Sequence, residues 1–126
     1  LVWLPFQVFA EDIHIPNYLF DDGEMLQESI TAWVYIVLLA PLCEEIIFRA
    51  WLLEAWRKFV GPWLALVMSA VAFSLVHPMG LVANLIFIIP GLLLGALWLK
   101  TRSLITCIST HALYNAFVLF MISYNT

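Results

Sequence analysis

Nineteen residues in a row without an ionisable side chain, LVANLIFIIPGLLLGALWL at positions 81–99, set the medium in which this chain folds. An α-helix rises ~1.5 Å per residue, so a run of this length covers a hydrocarbon core about 30 Å thick. Three further apolar blocks lie at residues 29–58, 63–77 and 104–122, and the residues between them are of the kind that end or restart helices. Gly61 and Pro62 part the first block from the second. Pro78 and Gly80 part the second from the third, and Lys100, Thr101, Arg102 and Ser103 make a polar turn before the fourth. With 64% hydrophobic and only 11% charged residues, and a mean hydropathy of +0.99, the chain is not an ordinary soluble domain. The expected fold is all-α, a polytopic transmembrane bundle with a four-helix core. Pro90 within the third helix predicts a kink, tolerated where neighbouring groups satisfy the freed carbonyl.

Two domain-level regions follow. Residues 1–28 read as the end of a preceding apolar segment (1–9), belonging to a longer protein, followed by an extramembrane segment (11–28) with six acids and His14, expected to be solvated. Residues 29–126 read as the membrane core. The net charge of −4 informs through its distribution. Arg57 and Lys58 follow the first helix, Lys100 and Arg102 join the third to the fourth, and Arg49 alone among the basic residues falls inside a span. If all four helices cross, the turns at 57–62 and 100–103 share one side, and their basic excess marks that side as cytoplasmic. The expectation is an integral, multi-pass protein of the cell inner membrane, with the lipid bilayer as a partner. Cys43 and Cys107 are far apart in apolar surroundings and read as small core residues. The six Trp and nine Phe are assigned mainly to lipid-facing and interfacial positions.

Ionisable groups are costly in hydrocarbon and normally face a bundle interior or an aqueous cavity. Apart from Glu54, Arg57 and Lys58 at the basic end of the first block, five fall within the apolar blocks: Glu44, Glu45, Arg49, His77 and His111. Glu45 and Arg49 are four residues apart, on one helix face and suited to a salt bridge. Glu44 is turned about 100° away from Glu45 at 3.6 residues per turn. Phe73 and His77 repeat the four-residue spacing on the second helix, as do His111 and Asn115 on the fourth.

A carboxylate, two imidazoles and an amide on three helices are the parts needed to hydrolyse an amide bond. A glutamate can take a proton from water and return it to the leaving amine. Imidazole and amide groups can position that water or donate hydrogen bonds to the oxyanion. Neither an HEXXH zinc helix nor a GxSxG elbow is present, although two glutamates and two histidines could ligate a divalent metal. Plainer readings stand beside these. Glu45 and Arg49 can be a structural ion pair, His111 and Asn115 interhelical polar glue, and His77 an interfacial residue. Glu54, near the basic end, reads as part of a solvated face.

Three motifs then carry a resemblance. Glu44-Glu45-Ile46-Ile47-Phe48-Arg49 resembles EExxxR, Phe73-Ser74-Leu75-Val76-His77 resembles FxxxH, and His111-Ala112-Leu113-Tyr114-Asn115 resembles HxxxN. In this order on successive membrane helices they are similar to the CPBP (Abi) family of CAAX prenyl endopeptidases and bacteriocin-processing enzymes. The resemblance implies that the bundle is a catalytic core, acting as a glutamate intramembrane endopeptidase with no metal and no cofactor. It implies Glu44 as general base, His111 helping to hold the water, and His77 and Asn115 as the oxyanion hole. Glu45, Arg49 and Phe73 take supporting roles. The implied partner is a peptide or protein substrate, prenylated in the CAAX branch; no nucleic acid is expected. Two competing functions remain open at this point: a non-catalytic binding or immunity protein of the membrane, and a metal-dependent membrane hydrolase.

Overall fold

The computed structural model describes residues 25–77 and 80–125. The apolar stretch 1–9, His14 and most of the acidic segment lie outside the described residues. Among the described residues four helices follow one another, joined by short turns. Helix α1 spans residues 25–60, α2 Pro62–Leu75, α3 Leu81–Thr101 and α4 Leu104–Asn125. No strand occurs among the described residues, and the architecture is the expected all-α membrane helix bundle.

Helix α1 is not uniform. Its α-helical stretches Met25–Val34, Ala40–Glu45 and Glu54–Val60 are separated by two wider, π-helical ones, Tyr35–Leu39 and Ile46–Leu53. Such turns are rare and frequently occur at functional sites. Here they bracket the six residues that end on the paired glutamates. Gly61, at φ 82, then turns the chain, and Pro62 opens α2 at a position where its missing N–H costs nothing.

Among the described residues three segments are long and apolar enough to cross a bilayer: Ile30–Val60, Leu81–Thr101 and Leu104–Met121. The second block is shorter than the sequence suggests. Helix α2 ends at Leu75, Val76 adopts φ −77 and ψ −7, and the His77 N–H closes a tight turn onto the Ser74 carbonyl at 3.1 Å. The residue before a proline is disfavoured in the α region, which accounts for a helix that stops short of Pro78. Fourteen residues at ~1.5 Å each give about 21 Å, less than the ~30 Å hydrocarbon thickness. His77 therefore sits past a helix end rather than within a spanning helix. Pro90 lies inside α3 without ending it.

In lipid, helices associate by close packing and interhelical hydrogen bonds rather than by hydrophobic burial. Gly91 and Gly95 bring α3 against α2. A Cβ at Gly91 would stand 3.0 Å from the Ala70 Cα, and one at Gly95 2.4 Å from the Leu66 Cδ1. The Ser69 hydroxyl, also buried, ties α2 to α1 by donating to the Phe48 carbonyl at 2.9 Å.

Two expectations are corrected. Glu54, read as a solvated residue, is the hub of a clasp at the basic end of the bundle: it accepts from Arg57, from Trp98 Nε1 at 2.7 Å and from Arg102. Arg102, in the left-handed region at φ 54, terminates α3 there. The clasp arises because Trp98 and Arg102 are one turn apart and meet the same turn of α1. Cys107 is buried, but Cys43 is exposed, since it falls on the outer side of α1 while its neighbours Glu44 and Glu45 turn inward. The aromatic residues divide. Trp33, Trp51, Trp63 and Phe59 lie on the outer surface as expected, whereas Phe48 and Phe73 belong to the core.

Candidate active site

Of the residues singled out from sequence, five ionisable ones gather at one place. Glu45 is fully buried and its Oε1 accepts a hydrogen bond from His111 Nδ1 at 2.8 Å. Arg49 Nη1 lies 3.1 Å from the same oxygen, an ion pair one helical turn along α1. The other arm of the guanidinium, Nη2, donates to the Gly91 carbonyl at 3.3 Å, and its Cζ stands 4.5 Å over the Phe73 ring. The charge of Glu45 is thus met by a cation that is itself held by α3 and by an aromatic face.

Glu44 turns to the histidines. Its Oε2 lies 3.6 Å from His111 Nε2 and its Oε1 3.9 Å from His77 Nε2. Both separations exceed a direct hydrogen bond, so neither imidazole satisfies the Glu44 carboxylate directly. Glu44 Oε2 is also buried with no hydrogen-bond partner.

The histidine tautomers follow from their other nitrogens. His77 Nδ1 is 2.8 Å from the Phe73 carbonyl, which can only accept, so Nδ1 carries the proton. His111 Nδ1 faces the Glu45 carboxylate and is likewise the donor. In each neutral ring Nε2 is then an acceptor pointing at Glu44. Phe73 packs both rings, with centroids 4.9 Å from His77 and 5.7 Å from His111, and Phe87 covers His77 at 4.8 Å.

Asn115 is engaged elsewhere. Its Nδ2 donates to the Ile36 carbonyl at 2.9 Å, in the first wide turn of α1. Among the described residues no group of three or more His, Cys, Asp or Glu side chains is arranged to hold a metal ion.

The model of the type II CAAX prenyl endopeptidase family, Rce1-like, matches residues 26–117, nearly three quarters of the chain. The chain belongs to that family. No curated protein and no solved structure matches it significantly. Membership makes this bundle a CAAX-type endopeptidase of the membrane, and the matched range contains every residue of the cluster from Glu44 to Asn115.

Within this CAAX-type bundle, sequence spacing anticipates the Glu45–Arg49 pair but not its third member, His111, which comes from 66 residues away. Gly91, Ser69 and Phe87 also escape it. For Gly91 a signal exists: with Gly95 it forms the small-xxx-small spacing of close-packed membrane helices. A lone serine or phenylalanine in an apolar helix carries no comparable signal.

Proposed function

We propose that this protein hydrolyses a peptide bond near the C-terminus of a lipidated substrate by a glutamate-activated water, without a metal. The observation that carries the reading is the position of Glu44, whose unpartnered, buried Oε2 faces His111 Nε2 while its Oε1 faces His77 Nε2. A nucleophilic water needs two acceptors for its two hydrogens, which leaves a lone pair for the carbonyl carbon. Glu44 and His111 Nε2 are such a pair. Glu44 takes one proton as the carbon–oxygen bond forms and passes it to the leaving nitrogen as the carbon–nitrogen bond breaks, a transfer worth about 10²- to 10⁴-fold in rate. Glu45 fixes the His111 ring so that Nε2 points at the water.

The oxyanion requires donors. His77 Nδ1–H is spent on the Phe73 carbonyl, so His77 can donate to the oxyanion only through Nε2, the nitrogen that faces Glu44, once a proton has reached it. The motif resemblance assigns a second donor to Asn115, but its Nδ2 is already engaged by the Ile36 carbonyl, so the oxyanion is left to His77. Arg57 and Arg102 converge on Glu54, which supports both basic turns lying at one end of the bundle, the cytoplasmic one by the excess of Lys and Arg.

The test is cleavage of peptides with CAAX-type C-termini, prenylated and unprenylated, by the detergent-purified protein with chelator present, read by mass spectrometry. Wild type is expected to cut the prenylated peptide. Glu44→Gln is expected to lose at least about a hundredfold with its unfolding temperature retained. Turnover surviving in Glu44→Gln defeats the glutamate mechanism, loss of wild-type cleavage with chelator favours a metal-dependent hydrolase, and tight binding of the peptide without cleavage favours a binding protein.

A further inference from the structure

The bond between Asn115 and Ile36 has a cause in the sequence of α1. In the wide turn Tyr35–Leu39 the Ala40 N–H reaches back to the Tyr35 carbonyl, five residues away. The Ile36 carbonyl thus loses its usual donor at Ala40. Its next possible donor along the helix is residue 41, and that residue is proline, which has no N–H. An unpaired backbone carbonyl in a membrane costs several kcal/mol by most estimates. Asn115 Nδ2 supplies the missing hydrogen bond from α4 at 2.9 Å.

The same helix face of α4 reaches α1 twice. His111 bonds Glu45 at 2.8 Å, and Asn115, one turn later, bonds Ile36. These targets are nine residues apart on α1, yet one helical turn of α4 serves both. Helix carbonyls point toward the C-terminus, whereas side chains tilt toward the N-terminus, so the Ile36 oxygen and the Glu45 carboxylate approach each other along the axis. Pro41, between them, is fully buried.

We propose that Asn115 is a positioning residue: its amide replaces the backbone donor that Pro41 and the wide turn remove, and so locks α4, with His111, in register against the glutamates of α1. The HxxxN spacing is then two anchors of one helix, one on a carboxylate and one on an orphaned carbonyl. The functional half of this inference rests on the glutamate-protease reading, whereas the bond itself can be tested without any turnover.

The experiment is a double-mutant cycle of Asn115→Ala and Pro41→Ala on the full chain in detergent, following thermal unfolding and, well below the transition, kcat and KM on the prenylated peptide. Alanine at 41 returns a backbone N–H. Asn115→Ala alone is expected to unfold several degrees earlier and to lose at least about tenfold in kcat, a misplacement effect, with KM little changed. Adding Pro41→Ala is expected to restore both, and if Asn115→Ala alone does not fold, the double variant is expected to fold. A kcat loss of equal size in both backgrounds overturns the inference and returns Asn115 to the oxyanion. Earlier unfolding with unchanged kcat overturns it in favour of interhelical glue, and failure of Pro41→Ala to restore stability overturns the bond's assigned cause. If wild type cleaves nothing, the protease reading fails while the unfolding cycle still decides the bond.

Discussion

Glu45 and Glu54 stand nine residues apart on one helix, and each draws together partners from other elements. Glu54 is a fifth exposed at the basic end, and both of its oxygens are engaged, by Arg57 on one side and by Trp98 and Arg102 on the other. Glu45 has no exposure and uses one oxygen for both His111 and Arg49, while its Oε2 is buried without a partner. Four of the five buried side-chain atoms without hydrogen bonds among the described residues lie on Glu44, Glu45 and Arg49. Structural clasps satisfy their acceptors; each exception calls for another explanation, and a reaction site is one. The better-satisfied glutamate is the one in the cheaper medium, so the open valences at Glu44 and Glu45 are not an accident of position.

The largest break in this comparison is Arg49→Met. It leaves the Glu45 carboxylate buried with no cation, a change that typically costs about 3–5 kcal/mol. The variant is expected to fail to accumulate as a folded protein, measured by detergent size-exclusion profile. If it folds with native stability, Glu45 is not held by Arg49. Next comes Gly91→Ala, whose added methyl meets the Ala70 backbone at 3.0 Å on the residue whose carbonyl receives Arg49. A loss of about 1–3 kcal/mol is expected in denaturant unfolding, as for other overpacked sites. Smallest is Glu54→Gln, which removes a partly exposed ion pair worth up to ~1 kcal/mol. Its deficit is expected to shrink as salt rises, whereas that of Gly91→Ala is expected to be salt-independent. A salt-insensitive Glu54→Gln would erase the distinction between the two glutamates.

Much of the fold was legible because lipid imposes simple rules. Apolar runs of spanning length and Gly, Pro and basic breaks locate helices whose boundaries fall within a few residues of those observed. The exception, His77, was missed as a post-helical residue because the bias of a pre-proline position shortens α2, an effect smaller than the hydrophobic signal that extends it. The π-helical turns were invisible, since hydropathy does not report hydrogen-bond register. At the site, the four-residue spacing made the Glu45–Arg49 pair readable, while the same spacing of His111 and Asn115 led only to a shared face, not to what that face touches. Cys43 and Glu54 went astray for one reason: polarity and position along a helix do not say which direction around the helix meets a neighbour.

By itself, then, the sequence determined the medium, the helix order and the inventory of ionisable groups, because these depend on local hydropathy and on period alone. The three motifs also sufficed to indicate the family. Only the tertiary structure decided that one carboxylate oxygen would be shared by Arg49 and His111, that Glu44 would be left facing two imidazoles, and that Asn115 would answer a carbonyl orphaned near Pro41. Those outcomes depend on hydrogen-bond direction between helices far apart in the chain, and direction is a property that neither composition nor spacing contains.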